Sequence, residues 1–150
     1  MRIMALDVGD RRIGVAISDP TGLLARQLTI IKRTSEKADV LEVLNVISKY
    51  SPGKLIVGLP LSLNGLIGSQ AQKVNEFCQI LRPSLDIPLE MYDESFSSVD
   101  AQTHIKSGSR KKRSSIKHDD DVAAMVFLQS YLNERHVETE SNREADTLER

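Results

Sequence analysis

The chain of 150 residues has one cysteine, no apolar run of membrane-spanning length and almost no net charge, −1 at pH 7. Each shortage removes a class of function. The lone thiol, Cys78, cannot close an intrachain disulfide and has no second sulfur with which to build a zinc site; on the apolar face of an expected helix it reads as buried and inert. No stretch approaches the ~20 apolar residues of a membrane span. Asp7 interrupts the only apolar N-terminal stretch, so no secretory signal is expected and the protein is placed in the cytoplasm. The near-neutral total argues against a strongly basic nucleic-acid binder, but the distribution matters more than the sum. Residues 134–150 hold six acids and three bases, a balance of −3 that leaves +2 for residues 1–133.

What is present is enough for one domain. A chain of this length buries a core without disulfides or a structural metal, and no internal repeat or linker divides it. Residues 2–8 alternate so that Ile3, Ala5 and Asp7 share one face of a strand and Met4, Leu6 and Val8 the other. Gly9, Asp10 and Arg11 form a turn, and residues 12–18 alternate again, which makes a hairpin with an acid beside its turn. Residues 24–31 read as a third strand. A helix capped by Thr34 or Ser35 follows, carrying Val40, Val43, Leu44 and Ile47 at helical spacing and ending at Ser51-Pro52-Gly53. Residues 54–58 are apolar throughout, as in a buried parallel strand, and lead into a loop at 59–65. Ala71, Val74, Cys78 and Leu81 mark a second helix ending before Pro83, residues 88–92 a fifth strand, and residues 99–106 a short helix. Residues 122–132 are so apolar that they form a helix buried on most of its surface. The charged tail, 134–150, lacks periodicity and is expected to be disordered. The pattern implies an α/β fold: a mixed five-stranded sheet with helices on both faces.

In such sheets, sites form outside the carboxyl ends of the parallel strands. Three acidic positions fall there: Asp7 after strand one, Glu94 after strand five, and one of Asp119, Asp120 and Asp121 at the start of the last helix. Asp7 occupies a core-facing position, where an isolated carboxylate is costly unless it is paired, hydrogen-bonded or on a metal. Capping of the Gly9 turn is the competing explanation. Acids at a helix start ordinarily compensate its dipole, but the Ala123-Ala124 pair implies close packing that carries Asp120 toward the sheet edge. Converging carboxylates form a hard-oxygen site suited to Mg²⁺ or Mn²⁺, and a pair of such ions suits phosphodiester hydrolysis. The loop at 107–117 holds Arg110, Lys111, Lys112, Arg113 and Lys117 without interleaved aromatics, so phosphate contact rather than base stacking is expected of it.

Asp7-Val8-Gly9, Arg12-Ile13-Gly14-Val15-Ala16, Ser18-Asp19-Pro20, Val57-Gly58-Leu59-Pro60-Leu61, Asn64-Gly65, Asp93-Glu94 and Asp120-Asp121-Val122-Ala123-Ala124 together resemble the YqgF family. This RNase H-like group is also called RuvX, after Holliday junction resolution, and its best supported role is maturation of the precursor of 16S ribosomal RNA. The resemblance covers residues 1–133 and implies an RNase H-like nuclease domain there. It implies that Asp7, Glu94 and Asp120 are the catalytic, metal-holding carboxylates. Arg12, Asn64 and the basic loop are then candidate substrate contacts. One departure stands out, because Ser95 occupies the position where the family usually has an arginine.

The expectation is therefore a divalent-metal-dependent endonuclease acting on structured nucleic acid, most of all the 5′ end of precursor 16S ribosomal RNA, alone or with the ribosome and its precursors as partners. Two alternatives stand beside it: a resolvase of four-way DNA junctions, which a homodimer would serve better than a monomer, and a non-catalytic RNA- or ribosome-binding module. A kinase-like phosphate loop at Asp7-Val8-Gly9-Asp10 would need a second Asp-x-Gly, which the chain lacks.

Overall fold

The computed structural model describes residues 1–60, 68–93 and 119–148. In chain order these form β1 (Ile3–Val8), β2 (Arg12–Ser18), β3 (Ala25–Lys32), α1 (Glu36–Tyr50), β4 (Lys54–Leu59), α2 (Ser69–Leu81), a single 3-10 turn (Arg82–Ser84), β5 (Leu89–Asp93) and α3 (Asp119–Leu148). The short helix expected at 99–106 and the basic loop lie outside the described residues.

Strand order is β3-β2-β1-β4-β5. β1 pairs antiparallel with β2, and β2 with β3, while β4 runs parallel to both β1 and β5. The period-two alternation of β1 sorts its side chains between two cores. Met4, Leu6 and Val8 join Val40 and Val43 of α1 and Val74, Phe77, Cys78 and Leu81 of α2. On the other face Ile3 and Ala5 join Ala124, Phe127, Leu128 and Leu132 of α3. Helices thus cover both faces, as the pattern implied.

Local chemistry sets the element ends. Of the two expected caps, Ser35 serves, its hydroxyl accepting from the Ala38 N–H at 3.2 Å. α1 stops at Ser51, which takes the left-handed conformation at φ 49° while its N–H donates to Ile47 O at 2.8 Å. Pro52 then forbids continuation. α2 ends at Leu81, two residues before Pro83. The β1–β2 turn closes through Gly9 N–H donating to Arg12 O at 2.8 Å, and a Cβ at position 9 would stand 3.0 Å from that same carbonyl. Only glycine fits without displacing the turn.

The charged tail departs from expectation. Instead of losing order after Glu134, the chain continues as helix to Leu148. No glycine or proline follows Gly108, so nothing in the sequence stops a helix once the buried segment has nucleated it. Residues 133–138 are nevertheless exposed, unlike the packed turns before them.

Candidate active site

Asp7 is the one half-buried position in a strand whose other residues are buried. It shares a face with Ile3 and Ala5, the face α3 covers, and its partner across the ladder is Gly14. The site edge is built by strand ends: Leu6 pairs with Val57 of β4, and Leu59 with Asp93, the last residue of β5. β4 lies between β1 and β5, so their carboxyl ends stand about two strand spacings, roughly 10 Å, apart. Glu94 immediately follows Asp93 but lies outside the described residues, as do Asn64, Ser95, Arg110, Lys111, Lys112, Arg113 and Lys117. Arg12 is described; it opens β2 at the same turn and is exposed.

The direction of α3 carries its first turn, at residues 119–122, toward this edge. Gln129 accepts from Ala25 N–H at 2.8 Å and donates to Leu23 O at 3.0 Å, and Tyr131 accepts from Lys54 Nζ at 2.7 Å. Ala25 and Lys54 begin their strands at the edge remote from Asp7, so α3 leaves the sheet there and enters it at the Asp7 edge. Ala5, Ala16 and Ala124 are each no more than 1% exposed, and their small side chains let the helix backbone approach the sheet. Asp120 lies one turn before Ala124 in α3; its side chain is outside the described set. Among the described residues no three His, Cys, Asp or Glu side chains converge. Asp7 alone of the three expected carboxylates has a described side chain. A half-buried carboxylate at a strand end is a donor of the type a hard divalent cation takes.

The backbone after Asp7 is held from the opposite face by side chains that sequence reasoning did not single out. Arg33 donates from Nη1 to Gly9 O at 2.8 Å and from Nε to Asp39 Oδ2 at 2.9 Å. Gln70, in the first turn of α2, donates to Val8 O at 3.3 Å, and Lys73 pairs with Asp10 at 3.3 Å. An acid in the first turn of α1 reads in sequence as dipole compensation. Only its burial, 2% exposed, marks Asp39 as something else.

A cavity of about 350 Å³ opens between Lys54 of β4, Glu90 and Tyr92 of β5, and Tyr131 and Glu134 of α3. Several of its polar groups bond to one another. Lys54 bridges Glu90 and Tyr131, Tyr131 also donates to Glu90 at 3.2 Å, and Tyr92 donates to Glu134 at 3.1 Å. The Lys54 hydrogen bond holds Glu90 below the usual carboxylate range. For Lys54, burial pulls the ammonium down, but its bonds to Glu90 and Tyr131 outweigh that and raise it. This is a tie between β4, β5 and α3.

The sheet order and the helix crossing define an RNase H-like fold. Over 91% of this chain and 96% of the other, it is similar to Thermus thermophilus RuvC solved in complex with a Holliday junction substrate, with TM-score 0.57 and 14% identity. A second structure of that RuvC gives 0.53. Residues 1–134 match the family model described as RuvX, Holliday junction resolvase. A Thermoanaerobacter pseudethanolicus protein is 45% identical over 136 residues, covering 89% of this chain and 96% of its own, and a Clostridium acetobutylicum protein is 41% identical over 135 residues, covering 89% and 98%. Both are named as candidate pre-16S rRNA nucleases. The chain belongs to the RuvX family, a family of nucleases with a resolvase-like fold.

Proposed function

We propose that the protein is a divalent-metal-dependent endonuclease that matures the 5′ end of precursor 16S ribosomal RNA in the cytoplasm. The observation that carries this reading is Asp7: a half-buried carboxylate near the end of an otherwise buried strand, on the face that α3 covers. Asp7, Glu94 and Asp120 would hold Mg²⁺ or Mn²⁺, which when bound supplies positive charge at the attacked phosphate and the departing oxygen. Arg12, beside the same turn, and Asn64, Arg110, Lys111, Lys112, Arg113 and Lys117 would contact the substrate backbone, fixing register rather than reading bases. Glycine at 14 leaves the ladder position opposite Asp7 without a side chain. The names of the relatives favour the RNA substrate, and the family model's own description favours a four-way DNA junction.

The deciding experiment offers both substrates, with Mg²⁺ or Mn²⁺, to the wild type and to Asp7→Asn. RNA cut at the 16S 5′ end by the wild type and not by the variant supports the maturation nuclease. Junction cutting with the same dependence on Asp7 supports the resolvase. Binding of RNA without cutting of either substrate would leave a binding module, with Ser95 in the arginine position as its first suspect.

A further inference from the structure

We propose that Arg33 is a positioning residue for Asp7, acting through the backbone of the β1–β2 turn. The inference rests on the reading of Asp7 as an active-site carboxylate. Arg33 follows β3 and ties itself to that turn twice. Its backbone N–H donates to Arg11 O at 2.9 Å and its Nη1 to Gly9 O at 2.8 Å. The guanidinium is in turn held by two helices. Asp39 of α1 accepts from Nε at 2.9 Å, and the ring of Phe77 in α2 lies under the guanidinium carbon, 5.4 Å from centroid to Cζ. The second oxygen of Asp39 accepts from Thr34 N–H at 3.1 Å, so both ends of the carboxylate are engaged. One side chain therefore connects α1, α2 and the turn two residues beyond Asp7.

Three features point to positioning rather than to bulk stability. Asp39 is 2% exposed, whereas Glu36 at the start of the same helix turn is exposed, so dipole compensation does not account for burying Asp39. An ion pair with one partner buried and the other half-buried is an inefficient way to stabilise a fold, since an apolar pair of similar volume often does as well. What the pair does supply is direction. The rigid guanidinium fork sets two donors at a fixed angle, one on Asp39 and one on Gly9 O, which the flexible ammonium of lysine cannot reproduce. With Gln70 on Val8 O, the carbonyls of both residues after Asp7 are held from the α1–α2 face. The Asp7 side chain meanwhile stands on the α3 face. Fixing the strand from behind sets where the carboxylate points without occupying space beside it.

The test uses the full chain with Arg33→Lys, Asp39→Asn, Asp7→Asn and, as a control, Leu132→Ala, which loosens the core at the remote edge. Cleavage kinetics on precursor 16S RNA, Mn²⁺ binding by titration calorimetry and thermal unfolding are measured for each. Arg33→Lys is expected to lower kcat about tenfold with KM within about twofold, and to weaken Mn²⁺ binding about tenfold, the size of effect outer supports have on metal ligands. Leu132→Ala should unfold at lower temperature yet keep kcat and Mn²⁺ affinity. If Arg33→Lys does not fold, Asp39→Asn carries the same expectations, since it loosens the guanidinium without removing it. The proposal is overturned if these variants keep kcat and Mn²⁺ affinity within twofold of wild type while Asp7→Asn is inactive. It is equally overturned if Leu132→Ala loses as much of both. An active Asp7→Asn would instead remove the reading of the site on which the proposal stands.

Discussion

Asp7 and Gly14 face each other across the β1–β2 ladder. Directly opposed antiparallel residues bring their Cβ atoms to about 5 Å, so any side chain at 14 on this face would crowd the carboxylate. Gly14→Val is therefore expected to lower cleavage at least tenfold, and by more than its effect on unfolding would explain. Comparing kcat with the urea midpoint for the variant separates the two effects; equal activity at unchanged stability would show that the space beside Asp7 is not used.

Asp7→Asn should leave the metal-free protein at least as stable as wild type. Carboxylates gathered for a cation repel one another without it, and removing one charge relieves that. Thermal unfolding in EDTA and in Mn²⁺ tests this: the cation should raise the wild-type midpoint and leave the variant's almost unmoved. A variant that fails to fold would make Asp7 structural.

Asp19 governs the turn between β2 and β3. Its carboxylate accepts from the Thr21 hydroxyl and from the N–H groups of Leu23 and Leu24 at 2.8 and 3.1 Å, and these bonds, Thr21 first, pull its pKa down to about 2. Because the folded value lies below the unfolded one, the stabilisation is present above about pH 4 and is lost as pH falls toward 2. Carbon-detected NMR should find Asp19 titrating near pH 2, and Asp19→Asn should flatten the acid limb of the stability curve. A midpoint near 4 would mean that the turn bonds do not persist in solution.

Cys78 should be chemically silent. Burial raises its thiol to about 11, so at pH 8 only about one molecule in a thousand carries the thiolate. A disulfide reagent is expected to label it only on unfolding. Prompt labelling of the native protein would show that α2 opens locally.

Residues 133–138 of α3 are exposed, and a helical segment with little buried surface is marginal in water. Amide exchange is expected to be slow from about residue 122 to Leu132 and faster by orders of magnitude beyond residue 133. Uniform protection to Leu148 would require a surface covering residues 133–138, which are exposed in the fold.

The architecture was legible because short-range periodicity and burial are the same information in a sheet with two covered faces. Alternation in residues 3–8 placed Met4, Leu6 and Val8 against α1 and α2 and left Asp7 on the face of α3; the run at 54–58 announced a strand buried on both sides; Ser51-Pro52 and Pro83 closed their helices for reasons that act within a few residues. The tail was misread for a complementary reason. Absence of a hydrophobic stripe says that nothing packs on a segment, but a helix already nucleated by residues 122–132 propagates through helix-forming residues without packing.

By itself, then, the sequence determined the strands, the helices and the carboxylate at the end of β1, because propensity, pattern and turn chemistry are local. Tertiary structure alone decided what holds the backbone just beyond that carboxylate. Arg33, Asp39 and Gln70 carry no pattern of their own, being an arginine after a strand, an acid in a first helical turn and an amide in another. They acquire meaning only when β3 ends beside the Gly9 turn and α1 and α2 pack behind it, since a hydrogen bond of 2.8 Å between residues 24 positions apart is a property of the closed fold and of no segment within it.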